Sequence, residues 1–199
     1  MNRRSFCALA AATALAAGLG LVGQASGQSG WVQLFDGKSI DTWDKVGDAN
    51  WRIVDGAIEA DKGNGFLVTR NSYKDFQLRA EFWADHKVNS GIFIRCTDPK
   101  KIGAENAYEV NVYDERPDPS YGTGAIVNFA KVSPMPKAGG KWNVFEITAQ
   151  GDTLTVILNG QKTVDGLKDS KFSAGPIALQ YGTNSTGAVK FRKVEIRTM

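Results

Sequence analysis

Apolar and polar residues alternate with a period of two along much of this chain, and short turn signals separate the alternating runs. Phe76-Gln77-Leu78-Arg79-Ala80-Glu81-Phe82 is the cleanest run, and residues 91–96, 108–113, 125–132, 142–149, 176–181 and 188–197 read as further strands. This spacing puts successive side chains on opposite faces of an extended chain. Trp51-Arg52-Ile53-Val54 and Ala57-Ile58-Glu59-Ala60 flank Asp55-Gly56, and residues 153–158 run into Asn159-Gly160. Both dipeptides accept the positive φ angles of a two-residue hairpin turn. Beyond residue 27 no stretch keeps a 3.6-residue apolar period for three turns, so helices are not expected. Many short strands separated by turns predict an all-β fold of two antiparallel sheets packed face to face.

The same alternation sorts side chains into core and surface. Phe76, Leu78, Phe82, Ile92, Ile94, Cys96, Val110, Val112, Phe145, Ile147 and Leu158 take the inward phase. The outward phase holds Arg79, Glu81 and Trp83 on one strand, Phe93 and Arg95 on the next, and Glu109, Asn111 and Tyr113 on a third. If the three strands are neighbours, these eight residues share one surface. Polar groups beside aromatic rings suit a sugar, whose hydroxyls need partners and whose ring face packs on an aromatic platform such as Trp83. An ordinary solvated sheet face also reads polar and charged, so alternation alone leaves both readings open.

The first 27 residues differ from the rest. Arg3 and Arg4 precede an apolar run from Ala8 to Val22, and small polar residues follow, which predicts a signal peptide over 1–27 and a folded domain over 28–199. The run is short for a membrane span of roughly 20 residues, so no span is expected once the leader is removed. Arg3-Arg4-Ser5-Phe6 fits a twin-arginine signal as well as a general secretory one, and either predicts a periplasmic or secreted protein. The 24 Lys and Arg against 21 Asp and Glu include the two leader arginines, so the mature chain is close to neutral. Nucleic acid is therefore a poor partner. Cys96 is left without a second cysteine for an internal disulfide once Cys7 is removed with the leader. With His86 as the one histidine, a Cys/His zinc site cannot be assembled.

Several motifs then carry a resemblance. Trp31-Val32-Gln33-Leu34-Phe35-Asp36-Gly37-Lys38, Trp43, and Trp51 with Val54-Asp55-Gly56 resemble the opening of the 3-keto-disaccharide hydrolase domain family. Asn89-Ser90-Gly91-Ile92-Phe93-Ile94-Arg95, the stretch 107–114 and Thr123-Gly124-Ala125 match its central motifs in order. Gly175-Pro176-Ile177-Ala178-Leu179-Gln180 and the stretch 189–196 resemble its closing strands. The resemblance covers 31–197 and implies a concanavalin A-like jelly roll of the glucanase type that acts on carbohydrate.

What it implies about chemistry is specific. Members of this family cleave glycosides whose sugar carries a ketone at C3, and that ketone acidifies the proton on C2. A carboxylate base and a cation near the enolate oxygen then suffice, without paired carboxylates at glycosidase spacing. Glu109 is the expected base and Arg95 the expected enolate stabiliser. Asn111, Tyr113, Glu81, Arg79, Trp83, Gln180 and Tyr181 are the expected substrate-binding residues. Asn111 stands where relatives carry Gln, and Tyr181 stands where many carry His, so a non-catalytic carbohydrate-binding module is the alternative. No cofactor is required by this chemistry. Asp114, Glu115 and Asp118 form an oxygen-rich loop that could suit Ca²⁺. The sequence leaves the oligomeric state open.

Overall fold

The computed structural model describes residues 30–199, so the leader over 1–27 lies outside the described residues. Thirteen strands follow in chain order: β1 (Val32–Gln33), β2 (Trp43–Gly47), β3 (Arg52–Val54), β4 (Ala57–Ala60), β5 (Gly65–Thr69), β6 (Phe76–Ala84), β7 (Ser90–Ile94), β8 (Tyr108–Val112), β9 (Trp142–Gln150), β10 (Thr153–Leu158), β11 (Gln161–Lys168), β12 (Ala178–Tyr181) and β13 (Val189–Thr198). One 3₁₀ turn, Pro119–Tyr121, is the helical element among the described residues. The strands make two antiparallel sheets. The larger runs β11-β10-β9-β6-β13-β4-β3 with β1 on β13, and the smaller runs β2-β5-β12-β7-β8.

Local sequence explains both tight hairpins. Asp55 and Gly56 take φ of 51° and 73°, and Asn159 and Gly160 take 51° and 81°, the left-handed pair that matches strand twist. Between the sheets lies one apolar core. It takes Phe76, Leu78, Phe82, Phe145, Ile147 and Leu158 from the large sheet, and Ile92, Ile94, Val110 and Val112 from the small one. Phe82 stacks on Phe145 at a centroid separation of 4.8 Å.

Three expectations are corrected. Residues 125–132 form no strand. Asn128 has a φ of 68°, and the amide of Ala130 turns back to the Ile126 carbonyl, so the segment bonds to β8 only locally. Cys96 faces outward, beside Val68, Phe93, Ala107 and Ala178. Arg95 takes a φ of 54°, which breaks the alternation at the end of β7 and exchanges the phases of residues 95 and 96. Finally, β6 belongs to the large sheet while β7 and β8 belong to the small one, so their outward residues do not share a surface.

Candidate functional site

The outer face of the small sheet can be laid out from its register. One row runs Val46, Phe66, Gln180, Gly91, Asn111, and the next runs Asp44, Val68, Ala178, Phe93, Glu109. Glu109 thus sits diagonally beside Gly91. A Cβ at Gly91 would stand 3.3 Å from Cγ and 3.6 Å from Oε1 of Glu109, so the missing side chain is the space that the carboxyl occupies. Gly182 does the same for Asn89, whose Nδ2 lies 2.7 Å from where its Cβ would be.

These side chains are buried yet underused. Glu109 is 7% exposed, and no hydrogen bond from the described residues reaches its carboxyl. Burial pushes its pKa up to about 7, and the positive charge of Arg116 pulls modestly the other way. On the same sheet face, Oδ1 of Asn89, Oδ1 of Asn111 and Oε1 of Gln180 are buried without a partner. Leaving such an acceptor unpaired costs about 1–3 kcal/mol, so a cluster of them calls for a donor from outside the chain. Asn111 is aimed by its own Nδ2, which donates to the Tyr121 carbonyl at 2.6 Å. Tyr113, half-buried just beyond β8, keeps the phase of Glu109 and Asn111, and its amide donates to Thr123 Oγ1 at 3.0 Å.

Several expected site residues lie elsewhere. The Arg95 side chain is 0% exposed and crosses to the large sheet, donating to the carbonyls of Lys74, Gly151 and Phe172 and pairing with Asp75 at 3.3 Å. It ties the two sheets together at one end and does not reach the Glu109 face. Arg79, Glu81 and Trp83 lie on the outer face of the large sheet. There Arg79 bonds Glu146 and Glu195, Glu81 bonds Arg192 at 2.6 Å and Lys193 at 2.5 Å, and Lys190 sits 5.4 Å over the Trp83 ring. Tyr181 points into the core and donates from its hydroxyl to the Gly187 carbonyl at 3.0 Å. A histidine at 181 would take the same inward phase, so the replacement removes nothing from the Glu109 face.

The acidic loop does not converge on a point. Asp114 accepts from Thr123 Oγ1 and from the amides of Ala138 and Gly139, which clamps the 113–123 loop to the 138–139 segment. Asp118 caps the 3₁₀ turn through Ser120, and Glu115 is exposed. Among the described residues no group of three His, Cys, Asp or Glu is placed to hold a metal ion. His86 packs against Gly139 and Gly140. Two residues of the site were not anticipated. Asn89 opens the Asn-Ser-Gly motif, which was its available signal. Arg116 lies in an irregular loop where no periodicity marks it.

A jelly-roll sandwich whose small sheet offers a buried carboxyl among unpartnered amide oxygens is a carbohydrate-active architecture of the glycosyl hydrolase kind. Solved structures agree on the fold. A proposed glycosyl hydrolase from Parabacteroides distasonis superposes with a TM-score of 0.73 at 20% identity, over 85% of this chain and 94% of that one. A second from the same organism reaches 0.69 at 27% identity, over 85% and 99%. The carbohydrate-binding module CBM66 of Bacillus subtilis shares the fold at 0.58 and 16% identity, over 79% and 96%. The chain belongs to the 3-keto-alpha-glucoside-1,2-lyase-like domain family, whose model matches residues 30–197. A 3-keto-disaccharide hydrolase of Bacteroides thetaiotaomicron is 26% identical over 202 residues, covering 79% of this chain and 70% of the relative. Among the described residues no helix is long and apolar enough to cross a membrane.

Proposed function

We propose that this protein cleaves 3-keto-glycosides, with Glu109 as the base. The observation that carries this reading is a buried carboxyl whose pKa is pushed up to about 7, on the same sheet face as three unpartnered acceptors. A base works best when its pKa lies near the working pH, because it is then both ionised and a useful proton acceptor. The Oδ1 atoms of Asn89 and Asn111 and Oε1 of Gln180 accept from the sugar hydroxyls and orient the ring over Gly91. Glu109 takes the C2 proton, the electron pair moves toward the C3 ketone, and the enolate oxygen gains charge. Arg116, whose positive charge acts on the Glu109 carboxyl, takes in this reading the role first expected of Arg95, stabilising that charge. Collapse of the enolate breaks the C1–O bond and expels the aglycone, which recovers a proton from Glu109 or solvent. Addition of water to the resulting enone completes a net hydrolysis. The leader over 1–27 supports action outside the cytoplasm, with a mature N-terminus near Ser26 or Gln28.

The test uses a 3-keto-disaccharide, its unoxidised parent and a C2-deuterated version of the ketone. Cleavage confined to the ketone, slowed by deuterium, with kcat/KM rising through about pH 7, is the expected result. Binding of either sugar without cleavage makes the protein a carbohydrate-binding module and overturns the reading.

A further inference from the structure

A side-chain amide donates at one end and accepts at the other, so its orientation decides what it can bind. At Asn111 a single neighbour sets that orientation. Its Nδ2 donates to the Tyr121 carbonyl at 2.6 Å, and Oδ1 is left buried without a partner. A flipped amide would bring oxygen against oxygen at that distance, so the Tyr121 carbonyl keeps the acceptor end free. Asn89 repeats the arrangement more loosely, with Nδ2 at 3.4 Å from the Thr183 carbonyl and Oδ1 again unpaired.

The position of that carbonyl depends in turn on the stretch 121–125, which runs beside β8. Two backbone bonds join them at Asn111: the Gly124 amide donates to the Asn111 carbonyl at 2.9 Å, and the Asn111 amide to the Ala125 carbonyl at 3.0 Å. At Tyr113 a side chain takes over. Thr123 is fully buried, and its Oγ1 accepts from the Tyr113 amide at 3.0 Å and donates to Asp114 Oδ1 at 2.7 Å. Asp114 is buried too, and every partner of its carboxylate is a donor: the Thr123 hydroxyl, the Ala138 amide at 3.0 Å and the Gly139 amide at 2.8 Å. A carboxylate has no proton to give, so it fixes the direction of the Thr123 hydroxyl and leaves that oxygen free to accept from Tyr113. An asparagine at 114 would turn its NH₂ either toward the Ala138 and Gly139 amides, which also donate, or toward Thr123, reversing the bond. We infer that Asp114 is a positioning residue: through Thr123 it holds the stretch that carries the Tyr121 carbonyl, and so presents Asn111 Oδ1 to a substrate hydroxyl. The substrate role of Asn111 rests on the catalytic reading above.

Asp114→Asn, Thr123→Val and Thr123→Ser in the purified chain test this by two measurements. The first needs no substrate. Asp114→Asn and Thr123→Val should shift the side-chain NH₂ resonances of Asn111 and speed their exchange with water, whereas Thr123→Ser, which keeps the hydroxyl, should leave both as in the parent. The second is the kinetics of a 3-keto-disaccharide. In Asp114→Asn and Thr123→Val, KM should rise about tenfold, the scale of one hydrogen bond, with kcat within about twofold of the parent and KM restored in Thr123→Ser. A mere loss of folded protein lowers the apparent kcat and leaves KM alone, so the split separates positioning from stability. Should Asp114→Asn fail to fold, Thr123→Val carries both measurements, since it keeps the Asp114 bonds to Ala138 and Gly139. Unchanged Asn111 resonances, or shifted resonances with an unchanged KM, overturn the inference and leave the catalytic reading standing. A parent protein that neither binds nor cleaves the ketone overturns the catalytic reading and the substrate role of Asn111 together, whatever the variants show.

Discussion

On the outer face of the large sheet, Arg79, Glu81, Lys190 and Arg192 each meet an opposite charge or an aromatic ring, and Arg192 lies 3.8 Å over Trp142. On the outer face of the small sheet, Glu109, Asn89, Asn111 and Gln180 hold oxygens that nothing in the described residues satisfies. Both faces look polar in sequence. The first resolves its polarity internally and stays wet, so it contributes solubility and a little stability. The second keeps its acceptors buried and unpaired, a destabilising arrangement that a bound ligand relieves. Composition does not distinguish a surface from a site here, whereas the state of the hydrogen-bond partners does.

The comparison can be broken most sharply at its two glutamates. Glu109→Gln keeps the shape but cannot take a proton, so turnover of a 3-keto-glycoside should fall by about 10²–10⁴-fold while sugar affinity survives. Single-turnover kinetics beside equilibrium binding checks this, and full activity in the variant would remove Glu109 as the base. Next in size is Arg95→Met, which strips the donors from three carbonyls and leaves Asp75 with the Gly151 amide but without its ion-pair partner. We expect a loss of about 3–5 kcal/mol in urea unfolding, with turnover per folded molecule unchanged. A large drop in turnover at intact stability would return Arg95 to the chemistry.

A third effect joins the site to stability. Glu109 titrates near 7 in the folded protein against an ordinary 4.5, so the folded state holds the proton more tightly than the unfolded chain does. The associated stability is present in full below about pH 4.5 and is lost as the pH rises to about 7. Glu109→Gln should therefore be more stable than the parent by roughly 3 kcal/mol above pH 7, and the advantage should vanish near pH 4. Urea melts at the two pH values test the sign. The smallest effect is expected at Glu81→Gln, where each lost pair is partly exposed: below about 1 kcal/mol, with unchanged turnover.

Much of the architecture follows from local rules. The Asp-Gly and Asn-Gly turns, the inward set from Phe76 to Leu158, and the shared face of Glu109 and Asn111 are consequences of period two and of residues that tolerate positive φ. The edge strands β2 and β11 escaped notice because a strand paired on one side needs little apolar alternation, and WDKVG and QKTVDGLK show little. Arg95 was misplaced for a similar reason. A single left-handed residue reverses the phase of everything after it, and an arginine gives no local sign that it will adopt that conformation.

Sequence by itself therefore determined which side chains of a strand share a face, where the chain turns, and that an all-β sandwich with a carboxylate on a polar strand would result. Only the tertiary structure decided that β6 and β8 lie in different sheets, that Arg95 spans them, that the charge of Arg116 acts on Glu109, and that Asn89 keeps an unpartnered oxygen on the small sheet. Alternation is a property of one strand and is written in neighbouring residues. Sheet partnership, burial and a raised pKa depend on contacts between residues far apart in the chain, and those exist only once the two sheets have closed on their core.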